Sequence, residues 1–76
     1  MDIENFVRDF ETIFDEVEPG SINPATKFRD MEEWSSLNAL ALIAMADENY
    51  NIKLTGDDIR SSETVEDIFN KIAAKL

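Results

Sequence analysis

The sequence predicts an all-α fold with three main helices and one short helix. Apolar residues recur at helical spacing in the first, middle and last parts of the chain, whereas the alternation typical of strands is nowhere sustained. The chain has 76 residues, enough for one small domain with a thin apolar core. We therefore expect residues 1–76 to form a single helical bundle with a long loop between the first two helices.

Helix one is predicted over residues 2–17, because the apolar side chains there follow the helical period: Ile3, Phe6, Val7, Phe10, Ile13, Phe14 and Val17. Pro19, Gly20 and Pro24 then break the pattern. The loop that follows should reach residue 34 and be pinned to the core by Ile22, Phe28, Met31 and Trp34. A loop this long in a small domain is usually functional or anchored by its own side chains.

Helix two is predicted over residues 36–50, with Ser35 or Ser36 in the N-cap position. At 100° per residue the helix has two apolar faces. The bulkier face should join the core and consists of Ala39, Leu42, Ile43, Ala46 and Tyr50. On the opposite face, Leu37, Ala41 and Ala44 should form a small exposed apolar strip, flanked by Leu40 and Met45. Asp47 and Glu48 edge this strip. Such a strip is either ordinary helix surface or a docking surface for partners.

The last third of the chain is predicted to hold one short helical turn and one full helix. Gly56 should make a turn after the inward-facing Ile52 and Leu54, and a helical turn over residues 57–60 should bring Ile59 to the core. Thr64 should cap the last helix, whose apolar stripe consists of Val65, Ile68, Phe69, Ile72, Ala73 and Leu76.

Composition restricts the chemistry of the side chains. The chain has no Cys and no His, which excludes a protein thiol nucleophile, a disulfide framework, a Cys/His zinc site and an imidazole base. We expect no metal site, and "TGDDIRSSE" lacks the ligand spacing of an EF-hand. Seven basic residues against seventeen acidic ones give a net charge of −10, which disfavours nucleic-acid binding and favours partners with basic patches. No stretch is apolar enough for membrane insertion and the first residues do not resemble a signal peptide, so we expect a cytoplasmic protein.

The stretch "TKFRDMEEWSSLNALALIAMADENYNIKLTGDDIRSSETVEDIFNKI" resembles the acyl carrier proteins and their phosphopantetheine-binding relatives. The likeness lies in the order and spacing of Phe28 and Met31 in the loop, Ser36 and Leu37 at the start of helix two, and Thr64 before the last helix, and it covers nearly the whole chain. It implies an acyl-carrier-like bundle in which Ser36 accepts 4'-phosphopantetheine from coenzyme A. The thiol of that group carries acyl chains as thioesters, so the protein itself would not be an enzyme.

The resemblance also implies the partners of a monomeric carrier. They are a phosphopantetheinyl transferase and acyl-transferring, condensing or ligase enzymes with basic patches, in fatty-acid, polyketide or related biosynthesis. The expected partner-binding residues are Leu37, Asn38, Leu40, Ala41, Ala44, Asp47 and Glu48. Ala39 and Ala46, small residues on the core face of helix two, could open a pocket for an acyl chain.

The chain departs from the family near the serine. Ser35 stands where the family usually has Asp, and Asn38 and Ala41 stand where many fatty-acid carriers have acidic residues. We therefore expect standard fatty-acid synthesis enzymes to accept this chain poorly. The alternative is an unmodified acidic helical adaptor or nucleic-acid mimic that recruits a basic partner by charge alone. The spacing of Ser36 behind the anchored loop favours the carrier.

Overall fold

Four α-helices and a single-turn 3₁₀ helix form the regular structure of residues 2–76, which are the residues that the computed structural model describes. The elements are α1 (Ile3–Glu11), the 3₁₀ helix (Phe28–Asp30), α2 (Ser36–Tyr50), α3 (Gly56–Arg60) and α4 (Val65–Lys75). The only β pairing within these residues is an isolated antiparallel bridge between Lys27 and Thr64. The predicted all-α fold, with three main helices, one short helix and a long first loop, is confirmed. None of the described helices has the length and apolar character that crossing a membrane requires.

α1 ends at Glu11, so the predicted helix over residues 2–17 was too long. Beyond Glu11 the N–H groups of Ile13 and Phe14 donate at 3.2 Å to carbonyl oxygens three residues back, which tightens the last turn and ends the helix. The acidic residues that follow would oppose the negative end of the helix dipole if the helix continued: Asp15, Glu16 and Glu18. The apolar spacing past residue 11 instead marks loop side chains that face the core, with Phe14 buried and Ile13 and Val17 partly buried.

The loop between α1 and α2 is tied to both ends of the bundle. The Glu11 carboxylate accepts the N–H of Gly20 at 2.8 Å, and Gly20 has a φ of 86°, in the region that favours glycine. At the other end, the N–H of Val65 donates to the carbonyl oxygen of Thr26 at 3.1 Å. The four predicted anchors are confirmed, because Ile22 and Phe28 are buried and Met31 and Trp34 pack against the core.

α2 has the predicted bounds and ends at Tyr50, and its C-cap residue Asn51 has a φ of 56°, in the left-handed region. Its buried residues are Leu42, Met45 and Ala46, while Ala39, Ile43 and Tyr50 are partly buried. Met45 was therefore wrongly placed beside the exposed strip. The Tyr50 hydroxyl donates to Asp9 at 2.6 Å and joins α2 to α1. Burial and this bond raise the pKa of Tyr50 well above its usual range.

α3 and α4 begin with capping boxes, in which Thr55 pairs with Asp58 and Thr64 pairs with Asp67. Gly56 is the first residue of α3 and not a turn residue, so that prediction was wrong. Ile59 is buried as predicted, together with Ile52 and Leu54.

The apolar stripe of α4 is shorter than the sequence predicts. Val65, Ile68 and Ile72 are buried and Phe69 packs against the core, but Ala73 and Leu76 are exposed. Ala73 lies at the edge of the stripe at 100° per residue, and Leu76 follows the last helical residue.

Candidate functional site

Ser36 is the first residue of α2 and is exposed to solvent. Ser35 occupies the N-cap position, but its hydroxyl donates to the side-chain oxygen of Asn38 at 2.8 Å and caps no backbone N–H. The Ser36 hydroxyl takes part in none of the side-chain hydrogen bonds found among residues 2–76. Of the two adjacent serines, Ser36 therefore presents the free hydroxyl.

The amino end of α2 differs from those of the other described α-helices. Asp2, Thr55 and Thr64 each cap the helix that follows them by accepting a backbone N–H. α2 has no side-chain cap and no acidic residue in its first turn. Its free N–H groups and the positive end of its dipole therefore face solvent beside Ser36. A phosphate ester on this serine would meet favourable dipoles without displacing a capping group.

Ser36 opens onto a groove of about 540 Å³ between α2 and α3, which we call the Ser36 groove. Its floor is apolar and is formed by Trp34, Ala39, Leu40, Ile43 and Ile59. Two of the chain's seven basic residues, Arg29 and Arg60, lie along its edge, and no acidic residue lines it among the described part of the chain. Arg60 also pairs with the exposed Asp57 one turn earlier in α3. The groove thus combines an apolar floor with a cationic edge.

The far wall of the Ser36 groove is α3, which polar contacts hold against α4. The Asp58 carboxylate accepts hydrogen bonds from Lys75 at 2.6 Å and from the N–H of Thr55 at 3.0 Å. These two bonds lower the pKa of Asp58 to about 2. Lys71 donates to the backbone carbonyl of Asp58 at 2.8 Å and also to the Ser61 hydroxyl. A five-residue helix, too short to be stable alone, is fixed in place this way.

The apolar surface continues along α2 away from Ser36. A second groove of about 400 Å³ shares Leu40 and Ile43 with the Ser36 groove and reaches Ile52 and Leu54. Ala39 lines the Ser36 groove, whereas Ala46 is fully buried and lines neither groove. Only one of the two small residues predicted to open a pocket therefore borders the apolar surface.

A groove of opposite charge lies on the other side of α2. It has a volume of about 380 Å³, and we call it the acidic groove. Its lining comes from the turn and loop that follow α1 and from the first turns of α2: Ile13, Phe14, Asp15, Glu16, Glu33, Ser35, Leu37, Asn38 and Ala41. The three acidic residues are exposed, and no basic residue lines this groove within residues 2–76.

Four aromatic rings connect the two grooves from below: Phe10, Phe14, Phe28 and Trp34. We call them the aromatic quartet. The ring centroids of Phe28 and Trp34 are 4.8 Å apart, and those of Phe14 and Trp34 are 6.3 Å apart. Phe10 completes the set at 5.9 Å from Phe14 and 5.8 Å from Phe28. Phe14 lines the acidic groove and Trp34 lines the Ser36 groove, so one cluster supports both.

The structure separates the predicted partner-binding residues into two groups. Five are exposed, and Leu37 and Leu40 stand out with exposures of 77% and 64%; the others are Ala44, Asp47 and Glu48. Ala41 and Asn38 are partly buried. The Asn38 side-chain amide donates to the carbonyl oxygen of Ile13 at 3.0 Å and so joins α2 to the turn that follows α1. Asn38 therefore stabilises the packing of α2 in addition to being partly accessible to a partner.

Sequence reasoning missed the acidic residues that border the amino end of α2. Asp15 and Glu16 lie far from Leu37 in the sequence and Glu33 precedes α2, so only the fold of the loop brings all three to one groove with Leu37. The available signal was the acidic runs on both sides of the loop anchors Ile22 and Phe28.

Comparisons of the chain with protein-family models, with curated proteins and with solved structures find no significant match. Among residues 2–76, no group of three or more His, Cys, Asp or Glu side chains is arranged to hold a metal ion.

Proposed function

We propose that this chain is an acyl carrier domain, modified at Ser36 by 4'-phosphopantetheine, in fatty-acid, polyketide or related specialised biosynthesis. It carries acyl intermediates between enzymes in the cytoplasm and catalyses no step itself. The Ser36 oxygen forms a bond to the pantetheine-bearing phosphorus of coenzyme A. The phosphorus–oxygen bond to adenosine bisphosphate breaks, and the serine proton passes to a base on the transferase. The attached group supplies the thiol that a chain without Cys lacks.

The observation that carries the proposal is the placement of Ser36. Its hydroxyl is exposed and free at the uncapped amino end of α2, beside a groove with an apolar floor and two arginines at its edge. The phosphodiester would lie near the helix N–H groups, and Arg29 and Arg60 line the same groove as Ser36. Ser35 offers a poorer acceptor because its hydroxyl is already bonded to Asn38.

The test is the intact mass of the chain after incubation with coenzyme A and a broad-specificity phosphopantetheinyl transferase. We expect the addition of one phosphopantetheine group to the natural sequence and to Ser35→Ala, and none to Ser36→Ala. Ser35→Ala is the matched control, because it removes a neighbouring hydroxyl from the same helix end. Addition to Ser36→Ala but not to Ser35→Ala would assign the attachment to Ser35.

An unchanged mass, with a transferase that modifies a known carrier in the same tube, would contradict the proposal. That result would favour the unmodified acidic adaptor, because the charge of −10 would remain as the feature that recruits a partner.

We further propose that the carrier serves a specialised pathway more readily than primary fatty-acid synthesis. The first turn of α2 has no acidic residue, so enzymes that dock through acidic residues on this helix lose close charge pairs. Malonyl transfer to the modified chain should be slow and should improve in Ala41→Glu. Asn38 is unsuited to this test, because its amide holds Ile13. Fast malonyl transfer to the natural sequence, with no further increase in Ala41→Glu, would instead favour a role in ordinary fatty-acid synthesis.

A further inference from the structure

The acidic groove has the form of a site for a partner side chain. Phe14, only 6% exposed, and the partly buried Ile13 form its base, and Leu37, 77% exposed, forms one side. Asp15, Glu16 and Glu33 surround this apolar surface with negative charge. An apolar depression bordered by charges of one sign favours a ligand that pairs an apolar group with the opposite charge.

The groove is built from fixed parts. The amide of Asn38 donates to the carbonyl oxygen of Ile13 at 3.0 Å, which holds the turn after α1 against the first turns of α2. The ring of Phe14 packs in the aromatic quartet against Phe10 and Trp34. The base therefore does not need to be ordered when a partner binds, which lowers the cost of association.

Charge decides between the possible occupants. A second copy would bring another net charge of −10, and a nucleic acid or an anionic lipid surface would also be repelled. A protein segment with leucine-like side chains flanked by lysine or arginine would bury its apolar groups on Phe14 and Leu37 and place its cations beside Asp15, Glu16 and Glu33.

We propose that the acidic groove docks a basic amphipathic segment of a partner protein. Ser35 lines both this groove and the Ser36 groove, so a protein bound here lies next to Ser36. Identifying that protein as an enzyme that acts at Ser36 rests on the proposed carrier function, whereas the binding itself does not. The charge that orients the partner then comes from the loop before α2, and not from α2, whose first turn is neutral.

The test titrates the isotope-labelled, unmodified chain with a synthetic helical peptide of leucine and lysine, followed by NMR. Amide signals of residues 13–16, 33, 37 and 41 should shift most. The triple variant Asp15→Asn, Glu16→Gln, Glu33→Gln should bind about fivefold to tenfold more weakly, since each exposed charge pair contributes a modest share. Added salt should reduce this difference, because it screens exposed pairs.

Two controls make the test specific. The triple variant Glu4→Gln, Glu63→Gln, Glu66→Gln removes the same charge from exposed positions outside the groove and should leave the affinity within about twofold of the natural chain. A peptide with its leucines replaced by glutamine keeps its charge and should bind several-fold more weakly. Circular dichroism of both variants checks that they are folded.

Three results would overturn the proposal. An equal loss in both triple variants would show attraction by net charge alone, and equal binding of the glutamine peptide would show that the apolar base is unused. Concentration-dependent shifts of the same signals in the chain alone would assign the groove to a second copy. The experiment needs no transferase, so failure of Ser36 modification and failure of groove binding are separate outcomes.

Discussion

The Ser36 groove and the acidic groove lie on opposite sides of the first turns of α2 and differ in the sign of their charge. One has Arg29 and Arg60 at its edge, and the other has Asp15, Glu16 and Glu33. Both have apolar floors, and both rest on the aromatic quartet. The helix itself contributes almost none of the difference, because its first turn is neutral. The charge beside the amino end of a helix can thus come from the loops and short helices packed against it.

The two sides are also held by different contacts. The Ser36 groove depends on α3, which is fixed through Asp58 to Lys75 and Lys71 of α4. The acidic groove depends on the bond from Asn38 to Ile13. A substitution in the shared aromatic quartet should therefore affect both grooves. Loss of the Asp58 contacts should affect only the Ser36 groove, and loss of the Asn38 bond should affect only the acidic groove.

The largest effect is expected from Phe28→Ala. Phe28 is fully buried and its ring contacts those of Phe10 and Trp34. Removing a buried phenyl ring leaves a cavity that costs about 3–5 kcal/mol of unfolding free energy. Urea unfolding measures it. Phe28→Leu is the control and should cost markedly less, since it keeps much of the buried volume. A loss below about 1 kcal/mol for Phe28→Ala would show that the quartet does not support the two grooves.

A smaller effect, limited to the α3 side, is expected from Asp58→Asn. The folded pKa of Asp58 is about 2, below the ordinary value of 3.8. The carboxylate therefore stabilises the fold fully above the unfolded pKa, and this contribution is lost as the pH falls from about 4 towards 2. After allowance for solvent screening, Asp58→Asn should lower the unfolding free energy near neutral pH by about 1–2 kcal/mol.

Urea unfolding over that pH range measures the effect of Asp58. The difference between the natural chain and Asp58→Asn should shrink as the pH falls through the range. Asp57→Asn, which removes only the exposed pair with Arg60, is the matched control and should change stability much less. A difference that does not depend on pH would mean that the ion pair with Lys75 is not what stabilises α3.

The smallest of the three effects is expected from Asn38→Ala, on the acidic side. It removes the bond to the Ile13 carbonyl and should cost about 1 kcal/mol of unfolding free energy. Asn38→Asp should cost at least as much, because a carboxylate cannot donate to a carbonyl oxygen. Ser35→Ala, which removes an exposed donor to Asn38, is the control and should cost less. Full stability of Asn38→Asp would show that the bond does not hold the groove.

Much of the fold could be predicted from the sequence, because its signals are local. The bounds of α2, the cap at Thr64 and the loop anchor Phe28 follow from periodicity, serine and threonine caps and breaker residues. The end of α1 could not be predicted this way. Phe14 and Val17 continue the helical spacing while facing the core from a loop, and spacing alone does not distinguish the two cases.

The site was predicted only in part, for a similar reason. Ser36 and the exposed Leu37 and Leu40 are visible in the sequence of one helix. The hydrogen bond from Asn38 to Ile13 and the position of Glu33 in the same groove as Leu37 depend on tertiary packing. Gly56 shows the same limit, since a glycine typical of a turn is here the first residue of a helix, which the capping box of Thr55 and Asp58 starts.

We propose that the two sides of α2 bind different ligands, with the arm on Ser36 and its acyl cargo on the side of the Ser36 groove and a basic partner protein on the side of the acidic groove. The most direct measurement compares the NMR spectra of three samples. The first is the unmodified chain, and the second is the chain modified with phosphopantetheine and loaded with a medium-length acyl group. The third is the loaded chain after addition of the leucine and lysine peptide. Loading should shift signals of Ala39, Ile43 and Ile59, and the peptide should then shift those of Ile13, Glu16 and Ala41. Shifts from both ligands on the same side of α2, or a chain that cannot be modified at Ser36, would contradict the claim.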